Sequence, residues 1–506
     1  MLRPLSALLL VLLAGPRPAE PPPVPPPEPA ETEELPPESE VRGADDSATV
    51  GATPGAPTIG LQAAIVRGLE ANFALLNAAD AVQGAQIRES ATRSMWNPRF
   101  TPSYLVNPDD KSILLNASQR LPWSGGSVSA IATLRSSDLT VPDLSHTGDV
   151  RVVLTQPLLK GFGPNATYFD LRNSERSRVA QQRQFELVRQ RLAVQVTAAF
   201  YGVIAQRQLV GVSRQSLKRG DSLRKASEAR LKVGLVSKLD VFRADLQAAQ
   251  TQEALVRTEA GLETALEQFR ALLGLPAADP VEPEAVALPD TVDATLEPLE
   301  VLLAQARERR LELREAHDQV EDARRAASLA KQNLLPQLDV NLGYVRSGYG
   351  TTYRGALEDA HNRFELYFNT TYPVDNASSR ASKAVADLEV IARERTVRQR
   401  ELEVEAEVRG AARELERIHK SVELQKKGME VAAQQLRLST LRYQRGLASN
   451  FDVVDAEGSL VLARSALVGL LTNYQVAKAD LLRATGMLDP TQPLMAQGLT
   501  MREATP

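Results

Sequence analysis

Gly234-Leu235-Val236-Ser237-Lys238-Leu239-Asp240-Val241 returns as Gly446-Leu447-Ala448-Ser449-Asn450-Phe451-Asp452-Val453, and each copy sits between two long stretches poor in glycine and proline. The match stays in register through Ala244/Ala456 and Gly274/Gly486. Self-similarity at so long a period sets the architecture before any local reading does: the chain is a tandem duplication of one helical hairpin. In each copy the glycine suits the left-handed residue just past a helix C-terminus. The serine, followed three residues later by aspartate, suits the cap of the next helix. The tip turns are therefore Gly234 with Ser237 and Gly446 with Ser449, and Asp240 and Asp452 occupy first turns, where an acid favours the helix dipole.

Outward from these turns the two halves repeat one order. In the first, residues 58–274, the pattern predicts a helix over about 59–95 and a β-rich region over about 99–157. A very long helix over 165–231 follows, with a tip at about 231–241 and a shorter helix over 238–273. In the second, residues 301–488, the matching pieces are 302–334, a β region at about 337–373, a long helix over 377–443, a tip at about 443–456 and a short helix over 450–485. Positions 192, 196, 199, 203, 206, 210, 213 and 217 alternate steps of four and three and are apolar except Gln206 and Ser213. Positions 415, 418, 422, 425, 429, 432, 436, 439 and 443 do the same, interrupted by Gln425 and Ser439. Such spacing is a coiled-coil seam. A helix of about 67 residues reaches roughly 100 Å and two shorter ones laid end to end match it, so the pattern predicts a tall, thin palisade.

Composition narrows the function. Of 506 residues, 59 are Lys or Arg and 63 Asp or Glu, for a net charge of −4 without a large basic block, which points away from nucleic acid. There is no cysteine, hence no disulfide, thiolate metal site, thiol nucleophile or lipid anchor on cysteine. His146, His317, His361 and His419 stand singly, which predicts solvated or satisfied rings and no metal. No phosphate-binding glycine loop and no nucleophile with a base is present, so neither enzyme nor cofactor is expected. Residues 1–15 carry one positive charge and an apolar run too short to span a bilayer, the pattern of a signal peptide. A Pro/Glu-rich linker over 16–57, a surface connector over 275–300 and a C-terminal tail over 489–506 complete the chain.

The β segments alternate. Phe364, Leu366 and Phe368 share one face and Glu365, Tyr367, Asn369 and Thr371 the other; Val128, Ala130, Ala132 and Leu134 alternate with Ser127, Ser129, Ile131 and Thr133. A transmembrane barrel strand requires this pattern, and a half-buried soluble strand gives it too.

The G-L-x-S-x-x-D-V phrase after a long helix, the closing Gly274 and Gly486, and a β-hairpin bracketed by Pro336 and Pro373 together resemble the TolC family of outer-membrane efflux channels of Gram-negative bacteria. The resemblance covers about residues 58–488. It implies a mainly α protein with a membrane β-barrel, a homotrimer whose strands close one barrel in the cell outer membrane and whose helices form an α-barrel across the periplasm. A few strands cannot close a barrel alone, and unpaired edges in lipid are prohibitive, which agrees with an oligomer. The implied function is a passive exit duct for efflux or type I secretion, coupled through a periplasmic adaptor to an inner-membrane transporter. The alternative is a periplasmic coiled-coil adaptor or scaffold. The family's usual four strands per protomer leave the segment 113–135 as either an external hairpin or two added wall strands.

The resemblance also assigns site residues. Asp452 and Asp455 match aspartates that ring the pore constriction, three apart on one helix. Tyr443 matches a gate tyrosine and Asp240 a gate acid, while the gate arginine's place is taken by Ala448, leaving Arg445, Arg442 or Arg230 to substitute. Arg243 stands in the first repeat where Asp455 stands in the second, which offers a pairing between neighbouring hairpins.

Overall fold

The computed structural model describes residues 57–107, 110–137, 146–288 and 297–492. The expected signal peptide, the linker up to residue 56, residues 289–296 of the connector and the tail from 493 lie outside them. The first repeat runs β1 (Thr58–Ile59), α1 (Leu61–Ala71), α2 (Phe73–Arg93), β2 (Arg99–Asn107), β3 (Asp110–Arg120), β4 (Ser127–Ser137), β5 (His146–Pro157), α3 (Pro164–Thr167), α4 (Phe169–Lys232) and α5 (Lys238–Leu272). After β6 (Glu282–Pro283) the second runs α6 (Leu299–Arg309), α7 (Leu311–Gln332), β7 (Gln337–Gly350), α8 (Tyr353–Glu358), β8 (His361–Thr371), α9 (Ala377–Gln444) and α10 (Asn450–Ala484).

The long helices α4 and α9 have 64 and 68 residues, about 96 and 102 Å at 1.5 Å per residue. In the lower half α5 packs on α4, α4 on α10 and α10 on α9; in the upper half α2 packs on α4 and α7 on α9. The seams read from the sequence make these contacts. Leu192, Val196, Val203 and Val210 of α4 and Leu415, Ile418 and Val422 of α9 are buried in one core with Phe200, Phe269, Leu471, Leu481 and Leu482. Each such side chain stabilises the layer by about 1.5–3 kcal/mol on leaving water. The polar interruption at Gln425 is satisfied by donation from its Nε2 to Ala463 O at 3.1 Å.

Two expected helices are each broken once, at matching places. The chain turns extended at Asn72 (ψ 126°) between α1 and α2 and at Arg310 (ψ 121°) between α6 and α7. The reason is the end of the short helix beside each break. Asn72 Nδ2 donates to Leu272 O at 3.0 Å, and Arg310 Nη1 donates to Ala484 O at 3.1 Å, satisfying carbonyls a helix end leaves unpaired. Gly274 (φ +69°) and Gly486 (φ +71°) follow those ends, and a Cβ on Gly274 would stand 2.5 Å from Ala71 O. The closing glycines thus let two backbones approach at a break that periodicity cannot register.

The connector differs from the free surface run expected of it. Glu282 and Pro283 are buried, β6 pairs in parallel with β1, and Arg207 of α4 donates to Glu282 Oε2 at 2.6 Å and Pro283 O at 2.7 Å. A guanidinium this deep in a helix layer needs a charged partner, and the acidic connector supplies it.

All six long strands form one antiparallel sheet in the order β2-β3-β4-β5-β7-β8. The segment 113–135 therefore contributes two strands, β3 and β4, between β2 and β5. Among the described residues both outer strands, β2 and β8, have one unpaired edge.

Candidate functional site

At the foot of the layer the two repeated phrases fold as their residues predict. Gly234 (φ +77°) and Gly446 (φ +74°) take the left-handed conformation. Leu235 N donates to Arg230 O and Gly234 N to Leu231 O; Leu447 N donates to Arg442 O and Gly446 N to Tyr443 O. These are paired Schellman closures. The next helices open on reciprocal caps: Ser237 N donates to Asp240 Oδ2 at 3.2 Å, and Ser449 N to Asp452 Oδ2 at 2.8 Å. The backbone N–H of Ser449, then its hydroxyl, hold the Asp452 carboxyl below the ordinary aspartate range, with a smaller contribution from the charge of Arg442. Asp452 and Asp455, one turn on, are both exposed, and Asp452 is engaged in its own helix cap.

The two turns are tied to each other. The buried Tyr443 hydroxyl lies 3.0 Å from Ser227 Oγ. Arg230 donates to Tyr443 O at 2.7 Å and to Gln444 O at 3.0 Å, with its guanidinium carbon 4.3 Å from the centre of the Tyr443 ring. From the second hairpin Asn450 Nδ2 donates back to Asp240 O at 2.8 Å. Of the expected gate contacts, Tyr443 and Asp240 both lie in this junction, but the tyrosine meets Ser227 and Arg230 in place of the Asp240 carboxylate. Arg243 pairs with Asp240 of its own helix at 3.8 Å, and Arg445 is exposed at the C-cap of α9.

Ser227 and Asn450 were not visible as site residues. Ser227 lies on the α4 seam side about one and a half turns before its end, and Asn450 reads as an ordinary first helical residue. Arg230 carries a signal: it is the counterpart of Arg442 in the second copy, and a cation in a last turn suits unpaired carbonyls. Here it serves those of the other hairpin.

At the opposite end of α4 and α9 the sheet has two chemically distinct faces, fixed by strand register. Thr101 pairs with Asn116, Asn116 with Ile131, Ile131 with Arg151, Arg151 with Val345 and Val345 with Arg363. This face also carries Ser103, Ser118, Ser129, Thr133, Asp149, Asn341, Ser347 and Glu365. The other carries Phe100, Tyr104, Ile113, Leu115, Val128, Leu134, Val150, Val152, Leu342, Phe364, Leu366 and Phe368. Eight of these are exposed, Phe364 by 83 % and Phe100 by 68 %, while Val128, Leu134, Val150 and Val152 of the central strands are half-buried. The polar face holds its charges in pairs, Arg135–Asp110 at 2.7 Å and Arg151–Glu365 at 2.9 Å. Alternation that presents an apolar face to the surroundings and paired charges to the other side is the pattern of a barrel wall in lipid.

Residues 302–487 match the family model described as outer membrane efflux protein. Over this part, most of the second repeat, the chain is similar to that family. Nodulation protein T of Rhizobium leguminosarum bv. trifolii is 24% identical over 293 residues, 58% of this chain and 61% of that protein. The match thus spans less than two thirds of the relative's length. The fold is that of solved outer-membrane channels. VceC from Vibrio cholerae superposes with a TM-score of 0.66 at 15% identity, covering 84% of this chain and 96% of that one. MtrE of Neisseria gonorrhoeae, solved in its open state, gives 0.62 at 17% identity over 86% and 91%. OprN, also an outer-membrane channel, gives 0.66 at 15% identity over 90% and 98%. In this fold the paired tips and the two-faced sheet stand at opposite ends of α4 and α9.

Proposed function

We propose that the protein is an outer-membrane channel for efflux or secretion: a passive duct, formed by three copies, that receives cargo at the helical tips and releases it through a β-barrel. The observation that carries this reading is the six-stranded sheet, apolar and exposed on one face, polar and charge-paired on the other, continuous with helices of about 100 Å. An exposed apolar face of this extent is costly in water and stabilising in lipid.

Closure by further copies follows from the edges. β2 runs away from the helices and β8 runs back toward them, so β8 of one copy meets β2 of the next antiparallel. The outer helices of the layer also present unpartnered apolar side chains at coiled-coil spacing: Leu239, Phe242 and Leu246 on α5, Leu424, Val431 and Leu438 on α9. A seam on each flank suits a ring in which α9 of one copy packs on α5 of its neighbour. In that ring Asp455 faces a shared opening with Asp452 behind it. The carboxylates favour cations there. Tyr443, Arg230, Ser227 and Asn450 hold the two hairpins of each copy together, so the tip opens when that junction parts. A periplasmic adaptor docking at the tips and an inner-membrane transporter supply the work, since a duct of this kind performs no chemistry. A soluble periplasmic adaptor would have no use for an exposed apolar sheet face. Fractionation tests the choice: the protein should enter outer-membrane extracts as a heat-modifiable oligomer. Release with the soluble periplasm would overturn the reading.

A further inference from the structure

We infer that the β3–β4 hairpin is part of the membrane wall, so that three copies close an 18-stranded barrel whose mouth is as wide as the helical duct beneath it. The inference rests on the duct reading above. Three independent features of the sheet carry it.

The first is pairing. β3 pairs with β2 from Arg99↔Ser118 to Asn107↔Asp110, and β4 pairs with β5 from Ser127↔Thr155 to Ser136↔His146. The hairpin stands between β2 and β5, and among the described residues β3 is the one strand that β2 pairs with. The second is chemistry. Ile113, Leu115, Ala117, Val128, Ala130, Ala132 and Leu134 continue the apolar face, while Ser112, Asn116, Ser118, Ser129, Thr133 and Arg135, with Leu114 and Ile131 among them, continue the polar one. Each of β3 and β4 has 11 residues, the length of about 9–11 that a tilted strand needs to cross a bilayer.

The third is anchorage. The turn between β3 and β4 lies at the helical end of the sheet, docked on the segment that enters α4. Gln156 Nε2 donates to Ser124 O at 3.1 Å, and a Cβ on Gly125 (φ +76°) would stand 2.3 Å from Gly161 O. The neighbouring Trp123 is 81 % exposed, the position and residue type of an interfacial aromatic. A hairpin pinned at the periplasmic rim spans the wall upward; a loop hairpin outside the membrane would hang from the other end.

The widths agree. Four helices side by side at about 10 Å occupy roughly 40 Å of circumference per copy. Six strands about 4.8 Å apart and tilted by about 40° occupy roughly 38 Å, whereas four would occupy about 25 Å. Three copies then give a backbone diameter of about 36 Å, against about 24 Å for twelve strands. The barrel therefore imposes no taper on the duct, and cargo size is limited at the helical tips.

The chain has no cysteine, so single-cysteine variants of the full-length protein in outer-membrane vesicles read the wall directly. Ala132→Cys (apolar face) and Thr133→Cys (polar face) probe the hairpin; Leu366→Cys and Tyr367→Cys probe β8. With a membrane-impermeant maleimide, Thr133→Cys and Tyr367→Cys should label at least about ten times faster than their neighbours, which lipid shields. Alternation at 366/367 with equal, fast labelling at 132/133 would put the hairpin outside the membrane and overturn this inference alone. Loss of alternation at both pairs would overturn the duct reading with it. End-on images of the purified oligomer should show 18 strands; twelve would refute the wide mouth.

Discussion

Arg230 is the residue whose removal should part the tips most readily. Its guanidinium makes two hydrogen bonds to carbonyls at the C-terminus of α9, Tyr443 O at 2.7 Å and Gln444 O at 3.0 Å, and covers the Tyr443 ring. A hydrogen bond from a charged donor contributes about 1.5–3 kcal/mol and a cation–π contact in an open setting about 0.5–1. Discounted for exposure and non-additivity, Arg230→Ala should weaken the coupling between hairpins by about 2–4 kcal/mol, a shift of roughly 30- to 700-fold toward parted tips. Tyr443→Phe loses the single bond to Ser227 Oγ, about 1 kcal/mol or roughly fivefold. Single-channel recording in planar bilayers reads both. Conductance or open probability should rise more in Arg230→Ala than in Tyr443→Phe. An unchanged Arg230→Ala channel, or the reverse order, would refute the argument that this arginine holds the tip shut.

Other variants probe other parts. Asp455→Ala should reduce block of the channel by divalent cations while leaving the α10 cap intact, whereas Asp452→Ala should also cost about 1 kcal/mol of cap energy; equal block before and after Asp455→Ala would remove it from the pore. Glu282→Gln should lower thermal stability, by up to about 3–5 kcal/mol if Arg207 stays charged and buried, measured as loss of the heat-modifiable oligomer at lower temperature. The Asp318 carboxyl is pushed up by burial, but hydrogen bonds and charges from Arg183 and Arg176 outweigh this and hold it below the ordinary range. Because its folded value is depressed, its contribution is complete above the unfolded value of about 3.9 and is lost as pH falls through the lower folded one. Acid titration by circular dichroism should therefore show the wild type loosening below about pH 4, and Asp318→Asn should flatten that step.

The repeated phrase made the two tip turns legible because the bonds that close and cap each turn are local, spanning at most five residues. The seams of α4 and α9 were legible for the same reason: 3.5-residue periodicity is a property of one helix. The breaks at Asn72 and Arg310 were not, since each exists for a carbonyl about 170–200 residues away along the chain. The connector hid its role likewise, because Glu282 resembles its exposed neighbours until Arg207 is beside it. At the tip, the expected partners were acids and arginines placed by analogy. The observed junction uses Ser227 and two backbone carbonyls, which a sequence pattern of charges cannot display. The strand alternation was visible but ambiguous, and only the register of six strands turned it into one apolar face.

The claim that this chain forms a passive duct across the outer membrane is tested most directly by reconstituting the purified full-length oligomer in a planar lipid bilayer without transporter or adaptor. A passive duct should insert stably and give discrete, ohmic conductance steps that are small with the tips locked and enlarged by Arg230→Ala. A protein that does not insert, or that inserts without conducting even when the junction is removed, would contradict it.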